Sequence, residues 1–237
     1  MTASNFRVPA TKTKLEHRRY AISYLCPRGD LAEATILAPA IPAFEDAFAA
    51  LGRGTMLQTP TGKVAVEDLL PGDLVRLEGG ACVPVLWRGA ITVLPHSCAT
   101  LSLTRVLKDS LGAGRPFRDL VLGPAARLCK CTRGVSALAG RRAAYIPASD
   151  FVDGHHFVAL RPAVAVDLYQ IGFASHETLL VNGIGVESLH PGTPFSLGLH
   201  GDLLDQYLAL FPHLHSFEDV GLFKHPRLRL HDFDPAA

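Results

Sequence analysis

From Thr55 onward the chain is cut into short apolar runs by closely spaced turn signals. These are Thr61-Gly62, Pro71-Gly72, Gly79-Gly80, Pro95, Gly112 and Gly114. Inside the runs, Val64 and Val66, then Val75 and Leu77, then Val83, Val85 and Trp87 recur every second residue. A period of two places those side chains on one face of an extended strand. Short strands between regular turn signals predict a mainly all-β fold. Two further strands are expected at Leu101–Val106 and Leu120–Leu122, and later ones at Ala163–Phe173 and Thr178–Val181. Asn182-Gly183 is a strong two-residue hairpin turn, because both residues accept positive φ. The Gly-, Ala- and Arg-rich stretch from Arg133 to Arg142 reads as a loop.

The flanks have a different texture. Residues 1–17 are polar and basic and read as a loose tail. Tyr20, Ile22 and Tyr24 alternate, Cys26-Pro27-Arg28-Gly29-Asp30 is a turn cluster, and Leu31 to Leu37 returns as a second strand. Together they predict a hairpin. Ala43 to Ala50 carries Phe44, Ala47 and Phe48 at helical spacing. Pro42 suits its first turn, and Gly52 and Gly54 end it. Asp202 to Phe211 puts Leu203, Leu204, Tyr207, Leu208 and Phe211 on one helical face, and Pro212 stops it. The expected organisation is a tail, hairpin and short helix over 1–49, a β domain over 50–195, and a helical extension over 196–237.

At 237 residues and 48% hydrophobic, the chain can bury a sizeable core. A formal charge of +1 gives no argument for nucleic acid or an acidic substrate. No apolar run is long enough to span a bilayer, and the first twenty residues lack the apolar core of a signal peptide. The expectation is a cytoplasmic protein with no membrane contact. Cys26, Cys82, Cys98, Cys129 and Cys131 make an odd count without disulfide-framework spacing and read as reduced, mostly buried thiols. Cys129-x-Cys131 is one residue short of a Cys-x-x-Cys metal pair. His96-x-Cys98, His155-His156 and His213-x-His215 are two-ligand fragments of the kind eleven histidines produce by chance. No cofactor motif is present: there is no Gly-rich phosphate loop and no serine elbow.

The ordered motifs resemble the hedgehog/intein (Hint) family, in its bacterial branch. The run Gly54-Thr55 through Thr59-Pro60-Thr61-Gly62, then Val66-Glu67-Asp68-Leu69, then Pro71-Gly72-Asp73-Leu74-Val75, is similar to that family's opening block. Val83-Pro84-Val85-Leu86-Trp87-Arg88-Gly89 looks like the strand that follows. Arg118-Asp119-Leu120-Val121-Leu122-Gly123-Pro124 looks like the approach to the second catalytic block. Ile146-Pro147-Ala148, Phe151-Val152-Asp153-Gly154, His176-Glu177, Asn182-Gly183 and Glu187-Ser188 match later pieces. The resemblance covers roughly residues 50 to 192, and it implies a flattened, horseshoe-like β fold with pseudo-twofold halves.

The resemblance also implies a chemistry that these residues do not supply. Hint domains cut themselves by an acyl shift, in which a Cys or Ser side chain attacks the carbonyl just before it. That nucleophile lies four residues before the Gly of Gly-Thr, where this chain has Ala50. The family's second block uses a His to protonate the leaving nitrogen, with a small hydroxyl residue three positions earlier. Ala126 and Gly123 stand at those positions. Thr55 is the nearest alternative hydroxyl, and His176 matches a late family histidine. The expected function is a catalytically inactive Hint-like binding or assembly module with a protein partner. The alternatives are self-cleavage by unrecognised residues, giving fragments of about 50 and 190 residues, and metal binding.

Overall fold

The computed structural model describes residues 16–95, 102–131 and 142–232. The N-terminal flank gives strands β1 (His17–Leu25) and β2 (Leu31–Pro39) and helix α1 (Pro42–Asp46). Strands β3 (Leu51–Gly52), β4 (Met56–Thr59), β5 (Gly62–Ala65), β6 (Leu74–Arg76), β7 (Cys82–Pro84) and β8 (Trp87–Val93) follow. Then come β9 (Leu103–Val106), β10 (Leu120–Leu122), β11 (Arg127–Lys130), β12 (Ala144–Pro147) and β13 (Phe157–Leu160). The last strands are β14 (Val166–Gly172), β15 (Thr178–Val181) and β16 (Ile184–Glu187). Helices α2 (Pro194–Leu197) and α3 (Asp202–Leu208) complete the C-terminal flank.

An eight-stranded antiparallel sheet runs β13-β9-β10-β3-β14-β8-β1-β2. A six-stranded sheet runs β12-β11-β16-β15-β4-β5, and β6 pairs β7 alone. The Asn182-Gly183 turn joins β15 to β16 with φ of 45° and 89°, as a tight primed turn requires.

Hydrophobic material lies on both faces of the large sheet, and β14 shows why. Its Tyr169 and Ile171 enter one cluster with Leu51, Leu57, Leu122, Leu179 and Val186. Its Leu168 faces the other, with Tyr20, Phe44, Phe48, Trp87, Tyr207 and Phe211. A strand covered on both sides reads as an apolar run without alternation. The second cluster is built from both flanks. The Trp87 ring lies 5.2 Å from Phe48 and 5.3 Å from Phe211, and its indole N–H donates to the Leu210 carbonyl at 2.9 Å. Segments before residue 50 and after residue 195 therefore share one core with the central β region.

Several expectations change. The predicted helix over 43–50 ends at Asp46, because residues 49 and 50 are engaged by backbone bonds to neighbouring strands. The predicted helix over 202–211 ends at Leu208, and Phe211 enters the core from the following turn. Val83, Val85 and Trp87 do not share one strand. Val85 exchanges bonds with the Gly72-Asp73 turn, while the Leu86 N–H donates to Gly172 at 2.9 Å and passes the chain to the large sheet. The cysteines are not mostly buried: Cys82 and Cys131 are exposed, and Cys26 and Cys129 are half-buried, all with free thiols. Burial and the neighbouring Glu78 push the Cys129 thiol up to about 12. Cys98, His96 and nearly all of the Gly/Ala/Arg-rich stretch lie outside the described residues, as do residues 1–15. No helix of the described residues is long and apolar enough to cross a membrane.

Candidate functional site

Strand β3 is two residues long and is clamped between two partners. Leu51 pairs with Leu122 of β10 and Tyr169 of β14, and Gly52 pairs with Leu168. That clamp fixes the Ala49–Ala50 peptide group just upstream. The Ala49 carbonyl accepts from the Ala125 N–H at 3.0 Å. The Ala50 N–H donates to the Tyr169 carbonyl at 3.3 Å, and the Ala50 carbonyl accepts from the Gly123 N–H at 2.8 Å. Both residues are buried, with Ala50 wholly so. Every polar atom of this peptide group is thus satisfied, as buried backbone requires.

The three positions singled out in the sequence meet here. Gly123 packs on the Ala49–Ala50 bond so closely that a Cβ there would stand 2.1 Å from the Ala49 oxygen and 2.6 Å from its carbon. Ala126 closes the same turn, donating to Gly123 at 3.2 Å and accepting from the Ala148 N–H at 2.9 Å. Its methyl group is buried in the same cluster as Ala50. The arrangement polarises the Ala49 carbonyl through one backbone donor. It places no nucleophilic or proton-transferring side chain at the position-50 or position-126 Cβ.

Thr55 is engaged elsewhere. Its hydroxyl donates to the Gly52 carbonyl at 2.6 Å, which closes the turn that admits the chain to β4. The same turn is held by Glu67, which accepts from the Gly54 N–H at 2.8 Å, and by Asn182, which accepts from the Met56 N–H at 2.8 Å. The Gly-Thr, Glu-Asp and Asn-Gly motifs are therefore parts of one hydrogen-bonded joint.

His176 is buried against the C-terminal segment. Its Nδ1 accepts from the Lys224 backbone N–H at 3.1 Å, which places the ring proton on Nε2. Nε2 lies 3.2 Å from Glu187 Oε1. Arg227 Nε also reaches that oxygen, at 2.8 Å, and Arg127 Nε stands 3.6 Å from Oε2. Burial pushes the Glu187 carboxyl up, but His176 and Arg227 together hold it below the usual range. His190 beside it has both ring nitrogens used, Nδ1 accepting from Gly192 and Nε2 donating to Gly221. Burial lowers it to about 4.

Sequence reasoning missed this charged cluster. Glu187 lay in a matched motif, but nothing along the chain marks Arg127 and Arg227 as its partners, a hundred residues apart. The cluster borders a cleft of about 390 Å³ beside the Pro124-Ala125 turn, also lined by Asp46 and Tyr207. Burial and Glu45 raise the Asp46 carboxyl, against the pull of Arg127 and Arg227. Among the described residues, no three His, Cys, Asp or Glu side chains are grouped as a metal ion would need. His156 Nδ1 pairs with Asp153 at 3.3 Å, and His213 stacks on Trp87 at 6.0 Å.

Comparison with solved structures returns intein-type folds of low identity. A bacterial intein-like domain from Clostridium thermocellum is 15% identical with a TM-score of 0.40, over 59% of this chain and 98% of that one. The gp41-1 intein is 14% identical with a TM-score of 0.35, over 59% and 98%. The MchDnaB-1 intein is 19% identical with a TM-score of 0.36, over 59% and 99%. No curated protein sequence matches the chain. The sequence profile of the Hint domain matches residues 49–193, more than half of the chain, beginning at the clamped peptide group and ending past the Glu187-Ser188 motif. The chain belongs to the Hint domain family.

Proposed function

We propose that this protein is a Hint domain that does not process itself and serves as a protein-binding or assembly module. The observation that carries the reading is the Ala49–Ala50 peptide group. Its carbonyl keeps a backbone donor from Ala125, while position 50 presents only a methyl group and Gly123 fills the adjoining space with backbone. An acyl shift needs a sulfur or oxygen on the position-50 Cβ and a group to protonate the leaving nitrogen. Ala50 and Ala126 supply neither. Thr55 has its hydroxyl proton committed to Gly52, and His176 is buried with Nδ1 accepting from Lys224 and Nε2 3.2 Å from Glu187.

The N-terminal flank supports the same reading. In a self-cutting domain the segment before the cut is a product to be released. Here that segment contributes two strands to the large sheet and Tyr20, Phe44 and Phe48 to the second core. The test is intact mass. Purified chain held for days in thiol or hydroxylamine stays whole at 25.4 kDa. Fragments split near residue 50 overturn the proposal in favour of self-cleavage.

A further inference from the structure

The large sheet ends in β2, and the hydrogen-bond parity of the β1–β2 hairpin fixes which of its groups are free. The two strands pair with Tyr20 opposite Ile36 and Ile22 opposite Ala34. The Ala40 N–H donates to Glu16 and the Cys26 N–H donates to Asp30, so the bonds link even-numbered residues. In an antiparallel ladder bonded and non-bonded pairs alternate. Leu31, Glu33, Thr35 and Leu37 therefore turn their backbone N–H and C=O groups outward, away from β1. Pro39 has no N–H and ends the row.

The other sheet ends are short, charged or covered. At four residues, β13 is short and is followed by Arg161-Pro162, and β5 is equally short and carries Lys63. At β12, the Tyr145 N–H donates to Pro226 and its carbonyl accepts from Leu228, so the C-terminal segment covers that edge. By contrast, β2 runs nine residues, Leu31–Pro39, with Glu33 as its one charge. Leu37 is 65% exposed and Leu31 46%. Among the described residues nothing covers it, and a long edge without lysine or internal proline is a template for another strand.

We infer that the β2 edge pairs with the β2 edge of a second copy, joining two large sheets across a two-fold axis at Ala34. This deepens the assembly reading above but stands on the edge geometry. Outward residues must meet outward residues, which leaves few registers. With the axis at Ala34, Leu31 faces Leu37 of the second copy and Glu33 faces Thr35, and the reverse. All outward groups are then bonded, the exposed leucines cover each other, and no two carboxylates meet. With the axis moved to Thr35, Leu31 would face Pro39, which has no N–H to give. Ala32 faces Ile36 and Ala34 faces Ala34 on the other face, all small or apolar.

Light scattering after size exclusion, on the full chain over a range of concentrations, tests this. The expected mass is twice the 25.4 kDa chain. Thr35→Pro removes an outward N–H and no bond to β1, and Leu37→Lys adds a charge at an exposed position. Each shifts the mass to a single chain with an unchanged far-UV spectrum. Leu37→Lys carries the test if Thr35→Pro does not fold. Register is read by mild oxidation. A34C gives a covalent dimer, because that residue faces its own copy, and T35C, which faces Glu33, gives at least tenfold less. A single-chain mass at every concentration, or a dimer unmoved by both substitutions, overturns the inference. Either result leaves the denatured intact mass unchanged, so it is separable from failure of the non-processing reading.

Discussion

Gly123 and Ala49 touch through backbone alone: a Cβ at Gly123 would lie 2.1 Å from the Ala49 carbonyl oxygen. The obstacle is main chain held by the Ala125 N–H donating to the Ala49 carbonyl and the Ala50 N–H donating to the Tyr169 carbonyl, so it cannot rotate aside. Gly123→Ala should therefore force a shift of the clamped β3 segment. We expect a loss of about 2–3 kcal/mol, the scale of overpacking a tight core. The midpoint of urea unfolding measures it. A change within ~0.5 kcal/mol would mean that the two segments separate freely.

The same contact bears on chemistry. If Ala50 and Ala126 are what silence the site, Ala50→Cys together with Ala126→His should give hydroxylamine-dependent cutting between residues 49 and 50, and neither substitution alone should. The fragments should co-elute under native conditions and part on a denaturing gel, because residues before 50 supply strands and core aromatics. An uncut double variant with a native spectrum would show that more than these two side chains is missing.

Trp87 ties the flanks to the β region. It is fully buried, ringed by Phe48, Phe211 and His213, and bonded to the Leu210 carbonyl. Trp87→Ala should cost about 3–5 kcal/mol. One cooperative transition should report the loss by both tyrosine fluorescence and circular dichroism. Two separated transitions would mean that the flanks fold independently of residues 50–195.

Stability should fall on mild acidification. Burial holds His190 and His213 at about 4, against 6.5 for a free histidine. The folded state refuses protons that the unfolded chain accepts, so unfolding gains as pH drops from about 6.5 toward 4. Stability is full above the free value and declines through that window. Each group contributes up to roughly 3 kcal/mol of pH dependence. His190 also senses His176, Arg227 and Glu187, and His213 senses Asp219. Urea midpoints at pH 7.5 and 5, for the parent chain and His213→Phe, measure the slope. An equal slope in both would remove His213 from the account.

The sequence by itself determined the β class, the hairpin at 20–37, the Asn182-Gly183 turn and the family motifs. Each rests on local chemistry: a period of two, a turn residue that accepts positive φ, a proline that cannot donate. It also marked Ala50, Gly123 and Ala126, because the absence of a side-chain function is visible in the letters. Only the tertiary structure decided what these absences mean in space. It set Gly123 on the Ala49 carbonyl, broke the run at Val85 between two sheets, and brought Arg127, Glu187 and Arg227 together. It also merged both flanks into one core around Trp87. Such contacts join residues far apart along the chain, and their energy comes from burial and pairing that no local pattern encodes.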